Sequence, residues 1–570
     1  MNRTLVTRAG RALVGSIAFT TDTLIAVLIV AIALITVSGG AVVSLRGHRV
    51  SATGVDNPLL AVILLAATRY ILMRRIPWFG AAASTPQHLD GLSRRLVAQA
   101  GDHLASIKPA RAAQAVLGAL VTAMLVKALL AYANPGFFSG DDVEVQEMTL
   151  RALWRTNWSI WDLRSPFFPM IFLFPFQKLL VAAGVTSTKF LVFGGRAVVA
   201  VLSSLAVWLV WKAGRREFAS AAGWAMVAAI LFAIGKLHIA FGSTELPRPV
   251  STIAVLGAYV LLHDAKPVRT LIAGVLLGMA CCFRFSEAIF VPIAAFQLAW
   301  QRRFALSGAL VAISCVTALA ILGLGDWWYW GDGFHSVRAA IQYTLIEKSS
   351  SRGYQHAAWY LFHLPEWVNP AVFLLALAAL ARGPRLVDLW AWMPLLVLSC
   401  LPHKEGRYAI PALPFLCLCA TRELREQVGR IRADRLSRPQ WGAVGLLALL
   451  VLGAVHDVGH WRLARTNMDT VFATGANAVI PANVTVAAEQ AWRLGGHLYL
   501  PSHEVIDLQP DQLREPGYLS EQASQSQWLI LSQRASVEPL VAEFLRERNY
   551  VKVALSVTGS RYQLWRPPSL

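Results

Sequence analysis

His403-Lys404-Glu405-Gly406-Arg407-Tyr408 places a histidine and three charged side chains in six residues at the mouth of an apolar run. The run before it, Leu386 to Leu401, is hydrophobic apart from Asp388, and the chain after it passes through Ile410, Pro411 and Pro414 and stays apolar to Ala420. Stretches of this kind are membrane helices. Charge at membrane depth is expensive and marks function by default, so the motif is read as a functional element where two membrane helices meet water. The bland alternative is a snorkelling cluster that anchors two helix ends.

The composition agrees with that reading. Hydrophobic residues make up 56% of the 570 and charged residues 15%, and the mean hydropathy is +0.51. A soluble chain with those values would expose far too much apolar surface. Net charge +19 raises nucleic acid as a partner. The basic residues sit mostly in short loops between apolar spans, however, and not on soluble elements interleaved with exposed aromatics, so the partner is the lipid bilayer and no nucleic acid is expected. The six cysteines lie in or beside hydrophobic segments without metal-ligand spacing, and read as small core residues.

Arg3, Arg8 and Arg11 precede an apolar run from about Leu24 to Val43, read as a retained anchor that starts inside. The basic clusters Arg74-Arg75 through Arg111, Lys212 to Arg216, Lys266 to Arg269, Arg302-Arg303, Arg382 to Arg385 and Arg422 to Arg438 then share one side. Arg46 and Arg49 fall on the other. That parity puts Asn134 to Lys189, Gly242 to Pro249, Phe283 to Glu287, Gly325 to Trp367, His403 to Arg407 and the chain after His456 on the outer face. It also requires Phe167 to Val185, with Pro169 and Pro175, to be re-entrant or interfacial. The expected fold is an α-helical polytopic membrane protein of roughly thirteen spans. A small C-terminal α/β extramembrane domain follows, with strands at Asn483 to Ala487, Gln527 to Leu531, Val551 to Leu555 and Tyr562 to Trp565 and a helix from Val537 to Arg548.

The chemistry is expected among the outer loops. Asp141, Asp142, Glu144 and Glu147 put four carboxylates in seven residues directly after a span. A carboxylate there can take a proton from a sugar hydroxyl, with its acidic neighbours raising its pKa. Trp158, Trp161, Asp162 and Arg164 follow, aromatics alternating with charge as in carbohydrate sites, although tryptophans also form interfacial belts. Glu245 with Arg248 and Arg284 with Glu287 supply further candidates or structural ion pairs. The aromatic loop from Asp326 through Trp330 to Arg352, Tyr354 and Tyr360 brings cations that, with Lys404 and Arg407, could clamp a phosphate.

These landmarks, in this order, resemble the glycosyltransferase family 22 mannosyltransferases of the GT-C superfamily. The most specific match is His403-Lys404-Glu405-Gly406-Arg407-Tyr408 to the family's His-Lys-Glu-x-Arg-Phe, with Tyr408 as a departure. The acidic first loop, Trp161 to Arg164-Ser165 and the aromatic loop add to it, and the resemblance covers about Ala112 to Ala420. Asp142 keeps the family's spacing to Gln146, which favours Asp142 over Asp141 as the base. The resemblance implies a polyprenyl-phosphate sugar donor, mannose by analogy, a glycan or glycolipid acceptor, inversion in one displacement, and a phosphate stabilised by Lys404, Arg407 and Arg352. Glu144, Trp161, Arg164, Glu245, Arg248, Tyr354, His403 and Glu405 would line the substrate site, and no metal or cofactor is called for. The domains implied are an anchor with two extra spans and a basic cytoplasmic loop (1-111), a transmembrane catalytic module (112-460) and a periplasmic α/β domain (461-570), in a bacterial inner membrane. Two other readings stay open: a GT-C enzyme for another lipid-linked hexose or pentose, and a transporter, which the gathering of charge on one face disfavours.

Overall fold

The computed structural model describes residues 41–45, 48–52, 87–219, 221–264, 266–346, 355–432, 451, 453–455, 457–523, 528–555, 557 and 559–568. Most of the expected first anchor and of the last span near Trp441 to Val455, together with Arg74, Arg75, Arg352 and Tyr354, lie outside the described residues. Near the N-terminus, β1 (Ala41–Leu45) and β2 (His48–Ala52) pair antiparallel.

Among the described residues three helices are long and apolar enough to cross a bilayer: Pro109–Ala133, Thr188–Glu217 and Phe304–Trp330. Ala222–Ile234 and Lys236–Gly242, bent by 50°, would together make a fourth. Shorter apolar helices of 10–17 residues include Pro267–Phe283, Leu386–Cys400 and Pro169–Ala182, the last lying within the stretch expected to be re-entrant. Among the described residues, thirteen spans are therefore not reached by length. The stretch from Asp326 to Trp330 is not a loop either. Its aromatics extend the preceding helix, which ends only where Gly331 takes a left-handed φ of 79°.

The described chain forms two compact units. The first holds 1–120, 207–238 and 353–461, the second 121–206, 239–352 and 462–570. In the first unit the helix Leu413–Arg432 packs against Pro370–Arg382, Leu386–Cys400 and Ala222–Ile234, burying Phe415, Leu416, Cys417 and Cys419. Cys315 and Cys400, by contrast, are exposed. The two buried charges of the helix Leu413–Arg432, Arg422 and Glu423, are neutralised inside the unit, because an unpaired ion would be costly there. Arg422 Nη2 meets both Asp388 oxygens at 2.8 and 3.0 Å, and Arg382 grips Glu423.

In the second unit the C-terminal residues form a five-stranded sheet in the order β4-β3-β5-β7-β6, built from β3 (Val486–Glu489), β4 (Val505–Leu508), β5 (Trp528–Ser532), β6 (Val551–Val553) and β7 (Tyr562–Arg566). β3, β4 and β5 are parallel and β7 runs antiparallel to β5 and β6. The helix Asn467–Val479 covers one face through Phe472 and Ala476, and Pro539–Glu547 covers the other through Val541 and Phe544. Buried on both faces, β3 and β5 are apolar at nearly every position.

One buried ion pair fixes where the acidic helix begins. Arg196, 1% exposed, binds Glu245 through Nε at 2.6 Å and Nη2 at 3.1 Å, and donates to the carbonyls of Asn134 at 2.6 Å and Gly136 at 2.9 Å. The same turn is stitched to the C-terminal segment, since Gly136 N–H donates to Asn467 Oδ1 and Phe137 N–H to Thr466 Oγ1. Arg196→Met leaves Glu245 charged and unpaired in the interior and should cost about 3–5 kcal/mol, read as a lower Tm of the purified protein in detergent. Arg196→Met/Glu245→Leu should recover most of that loss. Equal melting of Arg196→Met and wild type would show that the pair anchors nothing.

Candidate active site

The helix Gly140–Trp154 presents the carboxylates of the first loop on different sides, and the structure gives each a different environment. Asp142 is fully buried. Its oxygens reach back over the first turn and accept from Phe138 N–H at 2.9 Å and Ser139 Oγ at 3.2 Å, so it closes the helix start much as a capping carboxylate does. Gln146, whose spacing pointed to Asp142, bonds the Val192 carbonyl and the Gln177 amide in the core.

Asp141 keeps 15% of its side chain accessible. It is ion-paired with Arg164 and lies 3.5 Å from Arg284 Nη1. Arg164 also stands 3.2 Å from Glu144 through Nε, so one guanidinium bridges the two acids. Glu144 is 2% exposed and neither of its oxygens accepts a hydrogen bond. Burial pushes its pKa up to about 7, partly offset by Arg164, with the charge of Asp141 adding to the rise. A carboxyl group poised there changes charge near neutral pH.

The other expected site residues are distributed as follows. Glu245 is the buried partner of Arg196, and Arg248 is held by Glu287 at 3.3 Å and by Ser286 Oγ at 3.0 Å. Trp161 is 45% exposed. Beside it, Asp162 meets His335 at 2.8 Å, and Trp330 stacks on the His335 ring at 5.0 Å. In the first unit, Glu405 gathers the motif. It accepts from His403 Nε2 at 3.0 Å and pairs with Arg407, while Tyr360 Oη donates to its carbonyl at 3.1 Å. Lys404 Nζ donates to the carbonyls of Gln355 and Leu401, the latter at the end of the helix Leu386–Cys400. Gly406 is required by close approach, since a Cβ there would lie 2.7 Å from the Trp367 ring.

Sequence reasoning did not assign Arg284 to Asp141. It also missed a contribution from the C-terminal domain. Glu147 accepts from His497 N–H at 2.8 Å and lies 3.1 Å from His497 Nδ1, while Trp158 stacks on the same imidazole at 5.2 Å. Gly496, at φ 52°, leaves room for the Glu147 carboxylate where any Cβ would collide with it. No local signal links residues so far apart in sequence.

The family model of Alg9-like mannosyltransferases matches residues 145–501, beginning just after Asp141, Asp142 and Glu144. No curated protein matches the chain. Among solved structures it is similar to ArnT from Cupriavidus metallidurans in the apo state, with a TM-score of 0.55 at 13% identity over 79% of this chain and 97% of that one. The same enzyme bound to undecaprenyl phosphate gives a TM-score of 0.53 at the same identity and coverage. The shared architecture is that of the GT-C enzymes.

The Glu144 environment has a measurable signature. Its pKa in the folded protein, about 7, lies above the usual 4.5, so the folded state retains a proton that the unfolded chain has released. Stability therefore falls as pH rises from about 4.5 to about 7 and stays lowered above that, by about 1.4 kcal/mol per unit of the difference. Glu144→Gln should gain in Tm relative to wild type across that window and hold a constant difference above it. A difference independent of pH would mean that Glu144 does not titrate there.

Proposed function

The chain belongs to the Alg9-like mannosyltransferase family and is a membrane glycosyltransferase, and from that premise we propose that it moves mannose from a polyprenyl-phosphate carrier to an acceptor hydroxyl with inversion. The undecaprenyl phosphate held by the ArnT relative supports a carrier of that class. Asp141 is the general base. The single observation that carries this assignment, against the spacing that favoured Asp142, is accessibility: of the three acids Asp141, Asp142 and Glu144, Asp141 is the one whose side chain reaches the surface, at 15%. As the acceptor oxygen bonds to the anomeric carbon, its proton passes to Asp141. The bond to the phosphate oxygen breaks and the polyprenyl phosphate leaves with the electron pair. Arg164 and Arg284 orient Asp141, and Lys404 and Arg407, in the family's motif, neutralise the leaving phosphate.

The site faces the periplasm of a bacterial inner membrane in this reading, supported by the one-sided clustering of Arg and Lys. Cysteines introduced at Trp161 and at Arg302, both exposed, should label from opposite sides of sealed vesicles. Labelling from one side alone overturns the orientation.

Asp141→Asn should lower turnover by roughly 10²- to 10⁴-fold with radiolabelled mannosyl phosphoryl polyprenol as donor, while donor binding persists. Asp142→Asn should act first on stability, with a lower Tm. Lys404→Ala and Arg407→Ala should each weaken donor binding by about 2–5 kcal/mol and acceptor binding much less. Normal turnover in Asp141→Asn would return the base to another carboxylate, and unchanged donor affinity in both motif variants would leave the motif a role in packing alone.

A further inference from the structure

A cleft of ≈ 320 Å³ opens between the helix Gly140–Trp154 and the C-terminal domain, within the second unit. That volume lies at the small end of ligand sites, about 300–1,000 Å³. Gly140, Glu144 and Glu147 contribute one face of the acidic helix, and Trp161, Trp492, Glu504 and Asp507 line the remainder. Gly140 and Glu144 flank Asp141 in sequence, while Asp141 itself turns to Arg164 and Arg284 and is not among the lining residues.

The chemistry of the lining is selective. Glu144 lines the cleft with both carboxylate oxygens buried and Arg164 Nε 3.2 Å away. Glu504, 48% exposed, stands at the rim, and Asp507 is held inside by Ala491 N–H at 2.6 Å and Gln509 Nε2 at 2.7 Å. The His497 ring is held by two hydrogen bonds. Its Nε2 accepts from Val505 N–H at 3.3 Å, which leaves Nδ1 to donate to Glu147. A lining of carboxylates repels a phosphate and suits a neutral molecule rich in hydroxyl donors. Two tryptophans supply faces for the C–H surface of a sugar ring. Trp492 is steadied by Arg493, whose guanidinium lies 4.8 Å from its ring.

We propose that this cleft is the acceptor site, taking the end of a neutral saccharide whose ring packs on Trp161 and Trp492 and whose hydroxyls donate to Glu504 and Asp507. The C-terminal domain then contributes specificity for the acceptor. This assignment rests on the proposed transferase reading.

The test uses full-length protein in lipid nanodiscs, as wild type, Trp492→Ala, Trp492→Phe and Glu504→Gln, with methyl glycosides of mannose, glucose, galactose and arabinose as probes. With mannosyl phosphoryl polyprenol as donor, Trp492→Ala should raise the acceptor KM about tenfold. Trp492→Phe should restore most of it, Glu504→Gln at the exposed rim should give a smaller rise, and the donor KM should stay at the wild-type value. An unchanged acceptor KM in Trp492→Ala and Glu504→Gln, in an enzyme that transfers, removes the acceptor site and leaves the proposed function standing. Should wild type transfer to none of the glycosides, saturation-transfer NMR of the same glycosides against the same proteins decides the cleft separately. Binding to wild type that is lost in Trp492→Ala supports it, and binding absent from wild type or equal in both overturns it.

Discussion

A guanidinium sealed in the interior governs this structure. Arg196 has its charge balanced by Glu245 and donates two further hydrogen bonds to carbonyls of the turn before the acidic helix. Because the pair is nearly inaccessible, neither partner can drift without leaving an uncompensated ion behind. The start of the acidic helix is thus held as firmly as the pair itself. The positions of Asp141, Asp142 and Glu144 follow from that start, each a residue or a turn along one rigid element.

The helix then sorts charge by side. Asp141 faces guanidinium groups from two other segments, Arg164 and Arg284. Glu147 faces a histidine of the C-terminal domain and Asp142 faces its own backbone. Four acids in seven residues would repel one another on an isolated helix, and the conflict is eased by Arg164 shared between Asp141 and Glu144, Arg284 beside Asp141, the preceding turn against Asp142 and His497 against Glu147. Burial raises the pKa of Glu144, since it costs the carboxylate more than Arg164 returns.

Much of this was legible in the sequence wherever the signal was local. The charged motif after Leu401 stood out against its apolar flanks. The strands at Trp528–Ser532 and Tyr562–Arg566 were visible as short runs of apolar and aromatic residues. Val505–Leu508 was missed because four residues that include Asp507 carry little periodicity. The helix through Asp326 to Trp330 read as a loop because aromatics beside an acid look alike in either state. Spacing favoured Asp142, but spacing cannot say which neighbour ends up inside, and that depended on the Ser139 turn. Arg284 and His497 reach the acidic helix from distant segments, and no window of sequence contains both partners.

Those long separations bear on how the protein is made. Glu147 and His497 are 350 positions apart, Trp158 and Pro501 are 343, and Gly136 and Asn467 are 331. During synthesis the acidic helix emerges early and remains without these partners until the C-terminal domain is complete. Contacts of such range close slowly, because the chain between them must first be ordered. A nascent or truncated chain therefore carries Glu147 without His497 and the Gly136 turn without Asn467, and the last segment translated completes the surroundings of one of the first.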